Sequence, residues 1–179
     1  MKKLLVLLCV TLFFFGITGM ANATLYDRGG SLIYDSDQDI TWLQDANYAQ
    51  TSGHDSDGLM TWDNAMVWAD QLVYGGFDDW RLPTTEDGPY VFGYNGTTTA
   101  GYNITTSEMG YMYYVNLGNP WYSGILNNTG PFINLQPDLY WSGSEFTSWS
   151  GHAWTFYFYN GVQDDYSRGG PLLLCLGCA

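Results

Sequence analysis

Helical periodicity is concentrated in a single stretch, "TWDNAMVWADQLVYGG" at residues 61–76. A fold built on this sequence must therefore consist mainly of strands and turns arranged around one principal helix. Trp62, Ala65, Met66, Ala69, Leu72 and Val73 recur at 3.6-residue spacing on one face, Trp68 lies near its edge, and Val67 falls outside it. Thr61 is a side-chain cap for the free amides at the start, and Asp63 complements the helix dipole there. Gly75-Gly76 is the expected stop.

On either side of this helix the patterns are those of strands. Leu32–Tyr34 and Ile40–Leu43 flank "DSDQD" and read as a β-hairpin. Residues 50–60 are loop by composition. "GPYVFGYNGTTTAGYNITTS" is rich in Gly, Thr and Asn, repeats Gly-Tyr-Asn at 93 and 101, and reads as a long surface loop or insertion. Ser107-Glu108 is placed to cap a short helix. "LYWSGSEF" and "AWTFYFYNGVQDDYS" carry strand-forming aromatics, with Asn160-Gly161 as a two-residue hairpin turn. Separate helices and antiparallel strands in this order indicate an α+β fold with one main and one short helix.

Residues 1–23, "MKKLLVLLCVTLFFFGITGMANA", have a charged start, an apolar run and an Ala-x-Ala ending, and read as a cleaved signal peptide. The expected mature chain starts at Thr24, is long enough for one domain with its own core, and has no stable membrane insertion. Its cations are Arg28, Arg81 and Arg168, set against 18 acids, for a net charge of about −15. Nucleic acid and sulfated glycans are excluded as partners by that charge. Eight Trp and fifteen Tyr provide ample apolar area, which makes disorder untenable. No disulfide framework is available, because the mature chain has no cysteine before Cys175 and Cys178.

"LIYDSDQDITWLQDANYA", "TWDNAMVWADQLVYGGFDDWRLPTTED", "SEMGYMYYVNLGN" and "YWSGSEF…AWTFYFYNG" together resemble the bacterial Lcl C-terminal domain family, from about Leu25 to Arg168. The most specific element is the helix followed by Trp80-Arg81-Leu82-Pro83-Thr84. This resemblance implies a C-type-lectin-like fold, related in shape to formylglycine-generating enzymes. It also implies export to the surface, periplasm or exterior of a bacterium; the founding adhesin domain of the family forms trimers that recognise sulfated glycosaminoglycans. Two departures stand out. The strong negative charge opposes sulfated ligands, and residues 169–179, "GGPLLLCLGCA", replace the family's usual closing strand with a divergent or truncated tail. A domain spanning 24–168 is expected.

The candidate residues follow from these patterns. Trp80, Arg81 and Pro83 are expected to be structural, with the Arg81 guanidinium tying carboxylates and carbonyls together beside a packed tryptophan. Asp35, Asp37 and Asp39 form D-x-D-x-D, but Ile40 and Ala46 stand where a calcium loop requires Gly and Glu, so hairpin-turn acids are the simpler reading. Calcium is a minor possibility and no cofactor is expected. Gln136-Pro137-Asp138 matches a tripeptide of sugar-binding lectins without its usual Trp-Asn-Asp partner. His54 and His152 lack metal-ligand spacing, no nucleophile elbow occurs, and Cys175-x-x-Cys178 is a lone terminal pair. The chain is therefore read as non-catalytic, with an oxidase-like enzyme as the lesser alternative. Trp121, Tyr122 and Trp149, on Gly/Ser/Asn-rich loops, are the candidates for stacking on an uncharged glycan or matrix polymer. A homo-oligomeric scaffold with no small ligand is the competing reading.

Overall fold

The computed structural model describes residues 25–122, 124–170 and 172–179. The expected leader and the mature start at Thr24 lie outside the described residues. One sheet has the strand order β1 (Leu25–Gly29), β2 (Leu32–Asp35), β3 (Ile40–Leu43). The other runs β4 (Phe92–Gly93), β5 (Ala100–Gly101), β8 (Val162–Ser167), β7 (His152–Tyr157), β6 (Leu139–Glu145). All pairs are antiparallel except β4–β5. Among the described residues, three short helices, α1 (Tyr48–Thr51), α2 (Trp62–Asp70) and α3 (Glu108–Tyr111), accompany the sheets, and α3 runs into a π-helical turn at Met112–Asn116. The fold is α+β with mostly antiparallel strands, consistent with the C-type-lectin-like expectation.

Helix α2 starts as its sequence dictates. The Thr61 side chain accepts a hydrogen bond from the Asn64 amide at 3.4 Å, and Trp62, Ala65, Trp68 and Ala69 are buried. Its end differs from expectation. The helix stops at Asp70, and Gly75 and Gly76, both at positive φ, form a tight turn in which Tyr74 and Phe77 exchange backbone hydrogen bonds. Val73 is consequently 75% exposed, because it lies past the helix end where helical spacing no longer sets its direction. The β2–β3 hairpin pairs Asp35 with Ile40 as anticipated. The β7–β8 hairpin pairs Tyr157 with Val162, so Phe158–Gly161 intervene in place of a two-residue turn. Phe158 is fully buried, and that burial accounts for the longer loop.

Among the described residues two large hydrophobic clusters form most of the core, with a small third one of Ala100, Phe146 and Trp154. One large cluster gathers Ile33, Trp42, Tyr113, Tyr140, Phe156 and Phe158; the other gathers Leu43, Trp62, Trp68, Trp80, Leu82 and Trp141. The C-terminal tail runs between them, a correction to the expectation of a domain body ending at Arg168. Leu174, Leu176 and Cys178 pack into the first cluster, whereas Leu173 and Cys175 pack into the second. That alternation is the two-residue period of a strand buried on both faces. Backbone hydrogen bonds tie the tail to Met60, to Leu139 and Trp141 of β6, to Thr41 and Leu43 of β3, and to Arg81. "LLLCLGC", residues 172–178, is thus the closing segment, and its apolar run reflects burial on both sides.

Candidate functional site

Arg81 is placed by the turn that follows α2 and by the closing segment. Its backbone N–H donates to Cys178 O at 2.8 Å and its carbonyl accepts from Cys178 N at 2.9 Å. The guanidinium makes a two-pronged contact with Glu108 of α3, each N–H to carboxylate oxygen distance being 2.7 Å, and also donates to Leu82 O. Glu108 further accepts the Thr84 amide at 2.7 Å. The hydrogen bonds it donates to Glu108, foremost among several causes, hold the guanidinium even more firmly protonated than usual. Trp80 is buried beside it and donates its indole N–H to Tyr74 O. Pro83 is buried, and its carbonyl receives the Gly143 amide and the Ser142 hydroxyl of β6. These three residues tie α3, β6 and the tail together; no ligand contact is needed to explain them.

The acidic and sulfur-bearing candidates are likewise absorbed by the fold. Asp35 is fully buried and accepts hydrogen bonds from the Asp37 and Gln38 amides and the Gln38 side chain, which shapes the β2–β3 turn. Asp37 accepts from Tyr111 and Asp39 from Tyr34. Asp55 and Asp57 accept amides of their own loop. Gln136 and Asp138 make turn contacts with Tyr140 and Leu139. Cys175 and Cys178 are free thiols in different core clusters, and burial pushes both well above the ordinary thiol range. Among the described residues, no group of three or more His, Cys, Asp or Glu is placed to hold a metal.

The loop rings fall into two separate places. Trp121 and Tyr122 join a cluster whose hub is the buried Tyr102, with ring centroids 5.7 Å and 6.1 Å away respectively. Tyr94 stacks on Tyr102 at 5.7 Å and 13°, and Phe92 meets both edge-on. Around the hub, Phe92, Tyr94, Trp121 and Tyr122 all remain exposed, from 41% to 70%. The Gly-Tyr-Asn repeat accounts for this geometry. Gly93 and Gly101 pair in register across the parallel β4–β5 contact, which brings Tyr94 and Tyr102 side by side. Asn103 Nδ2 then donates to Tyr94 O at 2.8 Å. A Cβ on Gly101, at φ 112°, would collide with the Gly93 backbone, so the close approach requires glycine. What reads as an irregular insertion folds back into a ring platform.

Trp149 sits elsewhere, in the loop between β6 and β7. It stacks on His152 at 4.5 Å and 7°, and His152 Nδ1 lies 2.5 Å from Asp165 Oδ2. With Tyr90, Phe146, Ser148 and Asp165 it lines a groove of about 470 Å³. Asp87 braces this groove by accepting from the Thr147 hydroxyl, at 2.5 Å, and from the Trp154 indole N–H, at 2.9 Å. Burial alone would raise the Asp87 carboxyl; the Thr147 and Trp154 hydrogen bonds outweigh it and hold the group below the usual range. Tyr90 donates to Asp164, and burial beside that carboxylate pushes its hydroxyl up to about 12.

The sequence profile of the Lcl C-terminal domain family matches residues 31–175, most of the chain and well into its tail. The chain belongs to the Lcl C-terminal domain family. The match takes in α2, the Trp80–Thr84 turn, both ring sites and Leu173–Cys175 of the closing segment, so those tail residues belong to the Lcl C-terminal domain itself. No curated protein and no solved structure matches the chain significantly. Among the described residues no helix is long and apolar enough to cross a membrane.

Proposed function

We propose that this Lcl C-terminal domain is an exported, non-catalytic module that binds an uncharged polysaccharide or matrix polymer outside the cell. The exposed ring platform of Phe92, Tyr94, Trp121 and Tyr122 around Tyr102 carries this reading. Rigid rings stack on the apolar faces of sugars at little conformational cost, and amide and hydroxyl groups along the same loops supply hydrogen bonds. The net charge favours a neutral polymer over a sulfated one. A glycan array, run with and without calcium, tests the reading. The expected outcome is retention of neutral glycans in both conditions and loss of signal with Trp121→Ala. An array without any neutral hit would count against it.

A second reading, a scaffold that self-associates through the same rings, is favoured by how much apolar surface they leave uncovered. It predicts a defined oligomer in light scattering that Tyr122→Ala dissociates, together with a silent array.

A further inference from the structure

The Trp149 groove differs chemically from the ring platform, and its lining points to a charged group. Three rings, Tyr90, Phe146 and Trp149, share a groove with the Asp165 carboxylate and the Ser148 hydroxyl. Asp164 stands behind Tyr90, joined to its hydroxyl at 3.0 Å. Ring faces carry negative electrostatic potential, and a carboxylate beside them adds a full charge, so the combination favours a cation. A neutral sugar would gain from the rings alone.

Among the described residues no arginine fills the groove; His152 lies at its side, stacked on Trp149 with Nδ1 beside Asp165 Oδ2. Arg28 lies over Tyr34 and Phe77, Arg81 is held by Glu108, and Arg168 reaches Glu145 and Asp63 while covering Trp62. The arginine-over-ring contact that this fold makes at Trp62 is not repeated at Trp149, which has His152 stacked on it and is still 63% exposed to an outside partner. The strongly acidic chain also raises the local concentration of cations at its surface.

We propose that the groove of Tyr90, Phe146, Trp149 and Asp165 binds an ammonium group, either the protonated amine of an amino sugar or a quaternary ammonium. The ammonium lies against the Trp149 and Phe146 rings, with Asp165 as its counter-charge and Ser148 accepting a hydrogen bond where the amine has N–H to donate. This site does not depend on the ring platform, so failure of either leaves the other standing.

Titration of the full chain, followed by NMR of the indole N–H resonances, tests the proposal. The resonance that disappears in Trp149→Ala identifies the reporter. Choline and glucosamine are compared with their neutral counterparts, 3,3-dimethylbutan-1-ol and N-acetylglucosamine. Each ammonium compound is expected to shift the reporter saturably, with the neutral partner about fivefold or more weaker. A response to choline alone assigns a quaternary ammonium, and one to glucosamine alone assigns an amino sugar; both support the site. Ser148→Lys, an exposed position, places a cation at the groove and is expected to abolish the response without unfolding the chain. Asp165→Asn should weaken ammonium binding about tenfold and leave neutral compounds unchanged. Equal binding of neutral counterparts, no shift by either ammonium compound, or an undiminished response in Ser148→Lys would overturn the proposal.

Discussion

At the scale of single residues, Arg81 shows how a scarce cation is used. Its contacts with Glu108 join two segments that share no other side-chain salt bridge among the described residues. Arg81→Ala removes both charge-assisted hydrogen bonds, and the partly exposed guanidinium limits the loss to about 1–2 kcal/mol. The melting temperature should fall by roughly 3–8 °C with any ligand affinity unchanged, and Arg81→Lys should recover only part, since an ammonium cannot engage both carboxylate oxygens in a fixed plane. Asp164 gives a prediction in pH. Burial holds its carboxyl above the ordinary value, against the opposing hydrogen bonds from the Asp165 amide and the Tyr90 hydroxyl. The folded chain then binds more protons than the unfolded chain just above the ordinary carboxylate range, so this group's contribution to stability falls as pH rises through that window. Asp164→Asn should raise the melting temperature at pH 7 by about 2 °C and leave it unchanged at pH 3, as read by thermal denaturation.

At the scale of elements, much was readable in advance, and the gaps have physical causes. The caps at Thr61 and Ser107 and the β2–β3 hairpin were anticipated, because each rests on contacts within a few residues. The tail was not. A strand buried on both faces shows no polar alternation, and its partners at Thr41, Met60, Arg81 and Trp141 are scattered through the chain. The ring platform was half visible. Trp121 and Tyr122 stood out as loop aromatics, but their partners Tyr94 and Tyr102 depend on the pairing of Gly93 with Gly101, which only the repeated Gly-Tyr-Asn hinted at. The docked tail makes a sharp prediction about thiols. Cys175 and Cys178 should resist a thiol reagent in the native chain and both react once it is denatured. A disulfide found by mass spectrometry, or rapid native labelling, would show the closing segment undocked.

For the whole molecule, the arrangement separates stability from recognition. Trp42, Trp80 and Trp141 are buried in clusters that the tail helps to complete, whereas Trp121 and Trp149 remain 48% and 63% exposed on loops. The helix α2, the two sheets and the Arg81 contact provide a rigid body; loops that contribute little to that body present the rings. Substituting an exposed ring should therefore change binding while the melting temperature stays within about 1–2 °C of the parent. Affinity electrophoresis through gels containing a neutral polysaccharide identified on the array tests the central claim most directly. The parent chain is predicted to be retarded relative to a plain gel, and Trp121→Ala, folded and equally stable, to migrate freely. Equal migration of the parent in both gels, or undiminished retardation of Trp121→Ala, would contradict the account.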